Sequence, residues 1–233
     1  MEPSPVAIVT GAGSGIGRAT AVMLSARGWR LVLAGRREER LTETAEMLTG
    51  AAVVVVADVG DLAEAAGIVD AAVERFGRVD ALVNNAGWAP LTPIEKTGGE
   101  MLEEVFAVNA LGPAAAISRA WPVFQKQKSG CVVNVSTMGT ADPFPGFFAY
   151  AAAKTAVESM VRSCVVEGKK IGVRAFAVAP GAVETEILRA NFSEKVLPSR
   201  KCLKAEDVAA VITACVLGER DGDNGKVIYL PSP

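Results

Sequence analysis

The sequence predicts an α/β fold built on a doubly wound parallel sheet of about seven strands with helices on both faces. Three observations support this prediction. Short apolar, β-branched runs alternate along the chain with longer amphipathic segments. The apolar runs are almost continuously hydrophobic, as strands buried on both faces are. A glycine-rich loop joins the first run to the first amphipathic segment.

The order of these segments implies right-handed crossovers between parallel strands, which place helices on both sides of the sheet. The predicted strands are residues 6–10, 31–34, 53–57, 81–84, 132–136, 175–178 and 227–230. The amphipathic segments between these strands, which predict helices, include residues 18–27, 37–48, 61–76 and 206–217.

The chain lacks an internal boundary between domains. No linker rich in Pro, Gly or Ser, no charge run and no repeat divides it, so we expect one domain over residues 1–233. Residues 88–97, 140–148 and 185–203 are predicted to be irregular. The last of these is the longest, and we expect a substrate loop at about residues 185–204.

Composition excludes several classes of function. The chain has no histidine, which removes a Ser-His-Asp triad and any histidine-ligated metal, so no metal site is predicted. A net charge of −2 gives no electrostatic reason to expect nucleic acid or an anionic membrane as a partner. The four cysteines form no CxxC pair and are expected to be buried thiols. Without a recognisable leader or a spanning run, the expected location is the cytoplasm.

The glycine-rich loop follows the first predicted strand. Glycines allow a tight turn and a close approach of the backbone to a phosphate, and the next helix offers its N–H groups to an anion. A tight strand–helix turn without a ligand is the alternative. The spacing is TGxxxGxG rather than GxGxxG, starting at Thr10. The predicted phosphate-binding residues are Gly11, Gly13, Ser14, Gly15, Ile16 and Gly17.

The end of the second strand bears on the choice of nicotinamide cofactor. An acidic residue there would bind the ribose hydroxyls of NAD, but Gly35 and Arg36 stand in its place. Gly35 leaves room for a 2′-phosphate, which Arg36 and Arg37 can bind with charge-assisted hydrogen bonds. NADP(H) is therefore favoured over NAD(H). The alternative is that these arginines only solvate the start of a helix.

Tyr150 and Lys154 are four residues apart in a run of alanines, which predicts that they share one face of a helix. A phenol ordinarily titrates near pH ~10. We expect the neighbouring ammonium to lower that pKa, so that Tyr150 exchanges a proton with an alcohol or carbonyl substrate. The alternative for Tyr150 is a half-buried helical tyrosine without a catalytic role.

The order of motifs resembles that of the short-chain dehydrogenase/reductase family, including its 3-oxoacyl reductase-like members, over essentially the whole chain. The motifs are TGxxxGxG, Asp58, the Asn84–Gly87 run NNAG, Asn109, a hydroxyl at the end of the fifth strand, YxxxK and Pro180-Gly181. The resemblance implies a single Rossmann-type domain that carries its own substrate site. It also implies hydride transfer between a nicotinamide and a carbonyl or alcohol.

The resemblance carries roles to individual residues. Asp58 would meet the adenine, Asn109 would hold a water that links Lys154 to solvent, and Lys154 would also hold the nicotinamide ribose. Thr137 stands at the family's serine position by spacing, whereas Ser136 satisfies a Ser-x-x-Gly pattern, so either could supply the catalytic hydroxyl. Further residues expected to face the cofactor are Val59, Asn85, Ala86, Gly87, Pro180, Gly181, Val183 and Thr185.

The sequence therefore predicts an NADP(H)-dependent oxidoreductase that interconverts a small-molecule carbonyl and a secondary alcohol. The resemblance also implies a homodimer or homotetramer. Two alternatives stay open at this stage: a non-catalytic, cofactor-binding regulatory module, and a structural protein that uses the sheet as a scaffold. The predicted substrate mouth is apolar and consists of Trp88, Pro143, Phe144, Phe147, Phe148, Ile187, Leu188 and Phe192.

Overall fold

The computed structural model describes residues 4–233 and contains a seven-stranded, all-parallel sheet in the order β3-β2-β1-β4-β5-β6-β7. This confirms the predicted fold class. The strands are β1 Val6–Thr10, β2 Arg30–Gly35, β3 Ala52–Val56, β4 Ala81–Asn84, β5 Gly130–Val135, β6 Val173–Pro180 and β7 Val227–Leu230. The helices are α1 Gly15–Ser25, α2 Glu38–Glu46, α3 Leu62–Phe76, α4 Gly99–Phe106, α5 Gly112–Gln127, α6 Phe148–Gly168, α7 Glu186–Asn191 and α8 Ala205–Val216.

Each face of the sheet is covered by its own layer of helices. Alternate strand residues such as Val9 and Leu33 pack with α1 and α8 on one face. Their neighbours, such as Ile8 and Val32, pack with α3, α5 and α6 on the other. Because strand side chains alternate between faces, the predicted continuous hydrophobic runs supply both layers at once.

The strand order reverses direction between β1 and β4. From β1 the chain builds outward through β2 and β3, and then returns to place β4 on the other side of β1. In open parallel sheets a crevice forms at such a switch point, beyond the carboxyl ends of the strands. The ends of β1 and β4, Thr10 and Asn84, therefore mark the expected position of a ligand site.

Several element boundaries differ from the sequence prediction. β5 ends at Val135, so Ser136 lies just beyond the strand, and α1 begins at Gly15 rather than at residue 18. The segment 185–203, predicted to be irregular, contains α7, whose start is capped by the Thr185 hydroxyl. Asn109 lies in a π-helical segment, Ala107–Leu111, between α4 and α5.

No helix within residues 4–233 combines the length and the apolar character needed to cross a lipid bilayer. The four cysteines are buried free thiols.

Candidate active site

A cleft of about 940 Å³ runs along the carboxyl edge of the sheet. The glycine-rich loop and the loops that follow β2, β4, β5 and β6 form its walls. Each predicted cofactor or catalytic residue lines this cleft, with the exceptions of Gly17, which lies behind the loop, and Asn109, which lies behind Gly87.

The glycine-rich loop passes so close to itself that side chains would not fit. A Cβ on Gly17 would lie 2.3 Å from the carbonyl oxygen of Gly11, and Gly11 and Gly15 have φ angles of 65° and 51°. Ser14 precedes α1 in an extended conformation, and its side chain does not cap the helix. The first N–H groups of α1 are therefore directed toward the cleft without a side-chain cap, as anion-binding helix starts require.

Neighbouring elements brace this loop from behind. The Thr10 hydroxyl accepts hydrogen bonds from the backbone N–H groups of Asn85 and Ala86, both at 3.0 Å. The Asn85 amide donates to the carbonyl oxygen of Thr10 at 2.9 Å, and the Arg18 guanidinium donates to that of Gly13 at 2.6 Å. The side chain of Asn85, predicted to face the cofactor, thus also ties β1 to the end of β4.

One end of the cleft is basic. Arg36, Arg37 and Arg40 line it directly after β2, beside Gly35. The Arg36 guanidinium is 69% exposed, and its nearest carboxylate oxygen, on Asp58, is 3.8 Å away. Arg37 forms a 2.8 Å ion pair with Glu186 of α7, and this pairing lowers the pKa of the Glu186 carboxyl. Exposed ion pairs of this kind contribute little to stability, so an incoming phosphate can compete for both arginines.

Asp58 follows β3 at the same end of the cleft, next to Val59. Its carboxylate accepts a hydrogen bond from the Gly60 N–H at 2.9 Å, a turn-forming contact. The Asp58 carboxylate therefore stabilises this turn, and its contact with an adenine stays a prediction.

Tyr150 and Lys154 stand one turn apart on α6, in the wall of the cleft. Lys154 is only 3% exposed, and its ammonium donates to the Val135 carbonyl oxygen at 2.8 Å. Because burial penalises the charged amine, the pKa of Lys154 falls to about 8. Burial likewise raises the pKa of the Tyr150 phenol above its ordinary value.

The expected lowering of the Tyr150 pKa by the Lys154 ammonium is therefore wrong for the protein by itself. The Lys154 nitrogen lies 5.7 Å from the centre of the Tyr150 ring. Desolvation of the phenolate outweighs any attraction at that distance, because the phenol packs among apolar side chains such as Phe147. Without a bound cofactor, the Tyr150 phenol is consequently protonated at neutral pH.

Asn109 is fully buried behind the loop that follows β4. Its amide nitrogen donates to the Trp88 carbonyl oxygen at 2.7 Å, and its amide oxygen accepts from the Trp88 N–H at 3.2 Å. Gly87 lies between Asn109 and Lys154: a Cβ there would be 3.0 Å from the Asn109 amide oxygen and 3.5 Å from the Lys154 nitrogen. Asn109 thus holds Trp88 and Gly87 in place, and its role in a water relay stays a prediction.

Ser136 and Thr137 both reach the cleft wall, but their hydroxyls have different partners. The Ser136 hydroxyl donates to the buried carboxylate of Glu158 at 2.5 Å. The Thr137 oxygen accepts from the Gly139 N–H at 3.2 Å and retains its own proton for donation. This difference favours Thr137 as the hydroxyl that can bind a substrate oxygen.

Pro180 at the end of β6 lines the same cleft as Tyr150, and so do Gly181, Val183 and Thr185 of the following loop. Ser232, near the end of the chain, supports it: the Ser232 hydroxyl accepts from the Ala182 N–H at 2.7 Å. The Thr185 hydroxyl donates to the Val183 carbonyl oxygen at 3.1 Å and caps α7, so its proton is already engaged within the loop.

The end of the cleft beyond Tyr150 is aromatic. Phe147 packs edge-on against Tyr150, and Phe144 lies between Phe147 and Phe192, with ring-centre distances of 4.1 and 6.3 Å. Pro143 and Phe148, both predicted for this mouth, lie outside the lining, and Phe148 is half exposed. The other predicted mouth residues do line it: Trp88, Ile187 and Leu188.

Comparison with known proteins identifies the family. A model of the family described as short chain dehydrogenase matches residues 5–196. The chain belongs to this family. It is therefore a short-chain dehydrogenase-type oxidoreductase, as the order of its motifs predicts.

Two curated relatives match the short-chain dehydrogenase chain over nearly all of their length. An uncharacterised oxidoreductase of Thermotoga maritima is 35% identical over 240 residues, which cover 97% of this chain and 95% of the relative. Levodione reductase of Leifsonia aquatica is 32% identical over 248 residues, covering 96% and 91%.

Solved structures agree with this assignment. The crystal structure of levodione reductase has a TM-score of 0.90 at 30% identity and covers 98% of this chain and 96% of its own. A 3-ketoacyl-(acyl-carrier-protein) reductase from Brucella melitensis, complexed with NADH, has the same TM-score at 28% identity, covering 98% and 97%.

The structure adds residues that the sequence analysis did not place in or around the site. Arg40 lines the basic end of the cleft, and Ser232 supports the loop after β6. Glu158 has a sequence signal, because it lies one further turn along the face that carries Tyr150 and Lys154. That spacing alone does not show which hydroxyls the carboxylate contacts.

The burial of Lys154 predicts an alkaline dependence of stability. Its pKa is about 8 in the folded protein, below the ~10.5 of an unfolded lysine, so the folded state binds fewer protons between these values. The unfolding free energy of the wild type should rise relative to that of Lys154→Met by ~1.4 kcal/mol per pH unit above pH ~8.

Urea unfolding of both proteins at intervals from pH 7 to pH 10 measures this difference. Lys170→Met, at an exposed lysine of the loop after α6, is the control and should track the wild type. Parallel pH profiles for the wild type and Lys154→Met would contradict the assigned cause.

Proposed function

We propose that this protein is an NADP(H)-dependent carbonyl reductase in which Tyr150 exchanges the proton with the substrate oxygen. This proposal rests on one observation. Tyr150 and Lys154 lie on one helix face, in the wall of the cleft that the glycine-rich loop also lines. We also propose that residues 1–233 form one domain whose substrate loop, at about 185–204, covers the same cleft.

The cleft fits a nicotinamide dinucleotide on physical grounds. Side-chain carbons at Gly11 and Gly17 would lie too close to neighbouring protein atoms, so these glycines allow the tight turn of the loop. The uncapped start of α1 follows this turn, where a pyrophosphate would bind. When bound, the cofactor supplies or accepts the hydride. Asp58 and Val59 would meet its adenine end, and Gly87, Lys154, Gly181 and Thr185 its nicotinamide end.

The preference for NADP(H) rests on the residues after β2. The position where a carboxylate would bind the ribose hydroxyls of NAD is Gly35, and Arg36 beside it is exposed, with only a distant ion-pair partner. A 2′-phosphate would gain charge-assisted hydrogen bonds from Arg36 without displacing a buried contact.

The geometry supports reduction, because the site residues of the unliganded protein carry the protons that a carbonyl oxygen would accept. Burial keeps the Tyr150 phenol protonated, so it can donate a proton to the oxygen of a carbonyl as the hydride arrives. The Thr137 hydroxyl, which retains its proton, would donate a second hydrogen bond to that oxygen and polarise the carbonyl. A regulatory module without catalysis would not require this pair of donors.

The substrate end of the cleft favours a neutral carbonyl compound with an apolar or aromatic body. Among the described lining residues, the cations other than Lys154 are Arg36, Arg37 and Arg40, which stand at the opposite end. Arg189, a candidate for binding an anionic substrate, instead pairs with Glu184 and donates to the Leu197 carbonyl oxygen. Asp142 adds negative charge beside Phe144.

Tyr150→Phe tests the proposal because it removes the proton donor and keeps the ring packing. With NADPH and aryl ketones, the variant should lose ~10²–10⁴ of the wild-type kcat while its NADPH dissociation constant stays within about threefold. The measurements are loss of NADPH absorbance and a fluorescence titration of NADPH. Wild-type turnover that survives in Tyr150→Phe would contradict the role of the phenol.

A matched pair of substrates in the same assay tests the charge argument. Ethyl benzoylformate and benzoylformate share the reacting ketone but differ by one carboxylate. We expect the ester to have a kcat/KM on the order of tenfold or more above that of the acid, because an anion finds no cation beside Phe144. Equal or better use of the acid would contradict the proposed substrate class and leave the reaction itself unaffected.

Arg36→Ala tests the cofactor preference. Losing the charge-assisted bonds to a 2′-phosphate should weaken NADPH binding by ~10- to 100-fold and leave NADH binding nearly unchanged. Arg27→Ala is a matched control, because Arg27 is also exposed and has an ion-pair partner at 3.6 Å, but lies outside the cleft. Titration of each variant with both nucleotides is the measurement. Tighter binding of NADH than of NADPH by the wild type would overturn the preference.

A further inference from the structure

Glu158 is a buried carboxylate that the proposed reaction does not use. It lies on α6, four residues after Lys154 and eight after Tyr150, and only 6% of it is exposed. The helical repeat places these three polar side chains on one face, a turn apart. Glu158 is outside the lining of the cleft, so it does not itself face a substrate.

One oxygen of this carboxylate holds both ends of the turn that contains Thr137. The Glu158 oxygen accepts from the Ser136 hydroxyl at 2.5 Å and lies 2.7 Å from the Thr140 hydroxyl oxygen. The Thr140 hydroxyl is also within 2.9 Å of the Thr137 carbonyl oxygen. The residues on both sides of Thr137 are therefore fastened to the helix that carries Tyr150.

Burial of a carboxylate is costly unless hydrogen bonds compensate it. A leucine of similar size would fill the same space without that cost. The polar contacts of Glu158 therefore indicate that this residue contributes to the geometry of the turn rather than to the stability of the fold. The turn needs such specificity, since it must present the Thr137 hydroxyl to the oxygen that Tyr150 protonates.

We propose that Glu158 is a positioning residue for the reduction, acting on the substrate only through Thr137. It clamps Ser136 and Thr140, and the clamp fixes Thr137 in its extended conformation, with its oxygen accepting from the Gly139 N–H and its proton available to the cleft. Ser136 thereby belongs to the clamp and Thr137 to the reacting set. This inference rests on the proposed function.

The test compares Glu158→Leu with Glu158→Gln. Glutamine keeps a carbonyl oxygen that can accept from both hydroxyls, and leucine does not. With ethyl benzoylformate and saturating NADPH, we expect Glu158→Leu to lose ~10- to 100-fold in kcat and Glu158→Gln to stay within about threefold of the wild type. The NADPH dissociation constant should be unchanged in both. Glu167→Leu, at an exposed glutamate of the same helix, should keep wild-type kcat.

A double-mutant cycle with Thr137→Val separates positioning from a merely structural role. If Glu158 acts through Thr137, the leucine substitution should lower kcat by less than about threefold once the Thr137 hydroxyl is gone. If the leucine variant does not fold, Ser136→Ala combined with Thr140→Val removes the same contacts, and the same loss and the same non-additivity are expected.

Two results would overturn the positioning role while leaving the proposed function intact. One is full kcat in Glu158→Leu. The other is an equal loss in the wild-type and Thr137→Val backgrounds. Absence of ketone reduction by the wild type itself would instead contradict the proposed function, and the positioning role with it.

Discussion

The geometry of the cleft depends on the hydrogen bond between the Lys154 ammonium and the Val135 carbonyl oxygen. A buried ammonium is costly unless a polar group receives it, so this contact fixes where α6 lies against the end of β5. Tyr150 stands one turn before that point and Glu158 one turn after. This hydrogen bond therefore fixes the positions of Tyr150, Lys154 and Glu158 relative to the end of β5.

The parallel sheet brings the remaining parts of the site to that point. All seven strands end at the same edge, so loops distant in sequence meet above β1 and β4. The glycine-rich loop follows β1, the basic residues follow β2, and the Thr137 turn follows β5. The charge of the cleft is divided accordingly, with arginines at one end and aromatic rings at the other.

Much of this arrangement could be predicted from the sequence, because buried parallel strands and the glycine loop leave strong local patterns. Helix α7 could not, since six residues between irregular segments carry little periodicity. The raised pKa of Tyr150 does not follow from the sequence either, because spacing shows the neighbouring lysine but not the desolvation of the phenol. The different partners of the Ser136 and Thr137 hydroxyls could not be predicted either, because the Ser136–Glu158 contact joins side chains 22 residues apart.

The proposed reduction depends most on Tyr150 being protonated. In Tyr229→Phe, Tyr150 is the only tyrosine, so ultraviolet absorbance of phenolate against pH reports its ionisation alone. Without cofactor, we expect no phenolate signal up to pH ~10, the ordinary midpoint for tyrosine, because burial raises the pKa of Tyr150. Half-ionisation near pH 8 would show that the Lys154 ammonium outweighs burial, and would contradict the assignment of Tyr150 as a protonated donor.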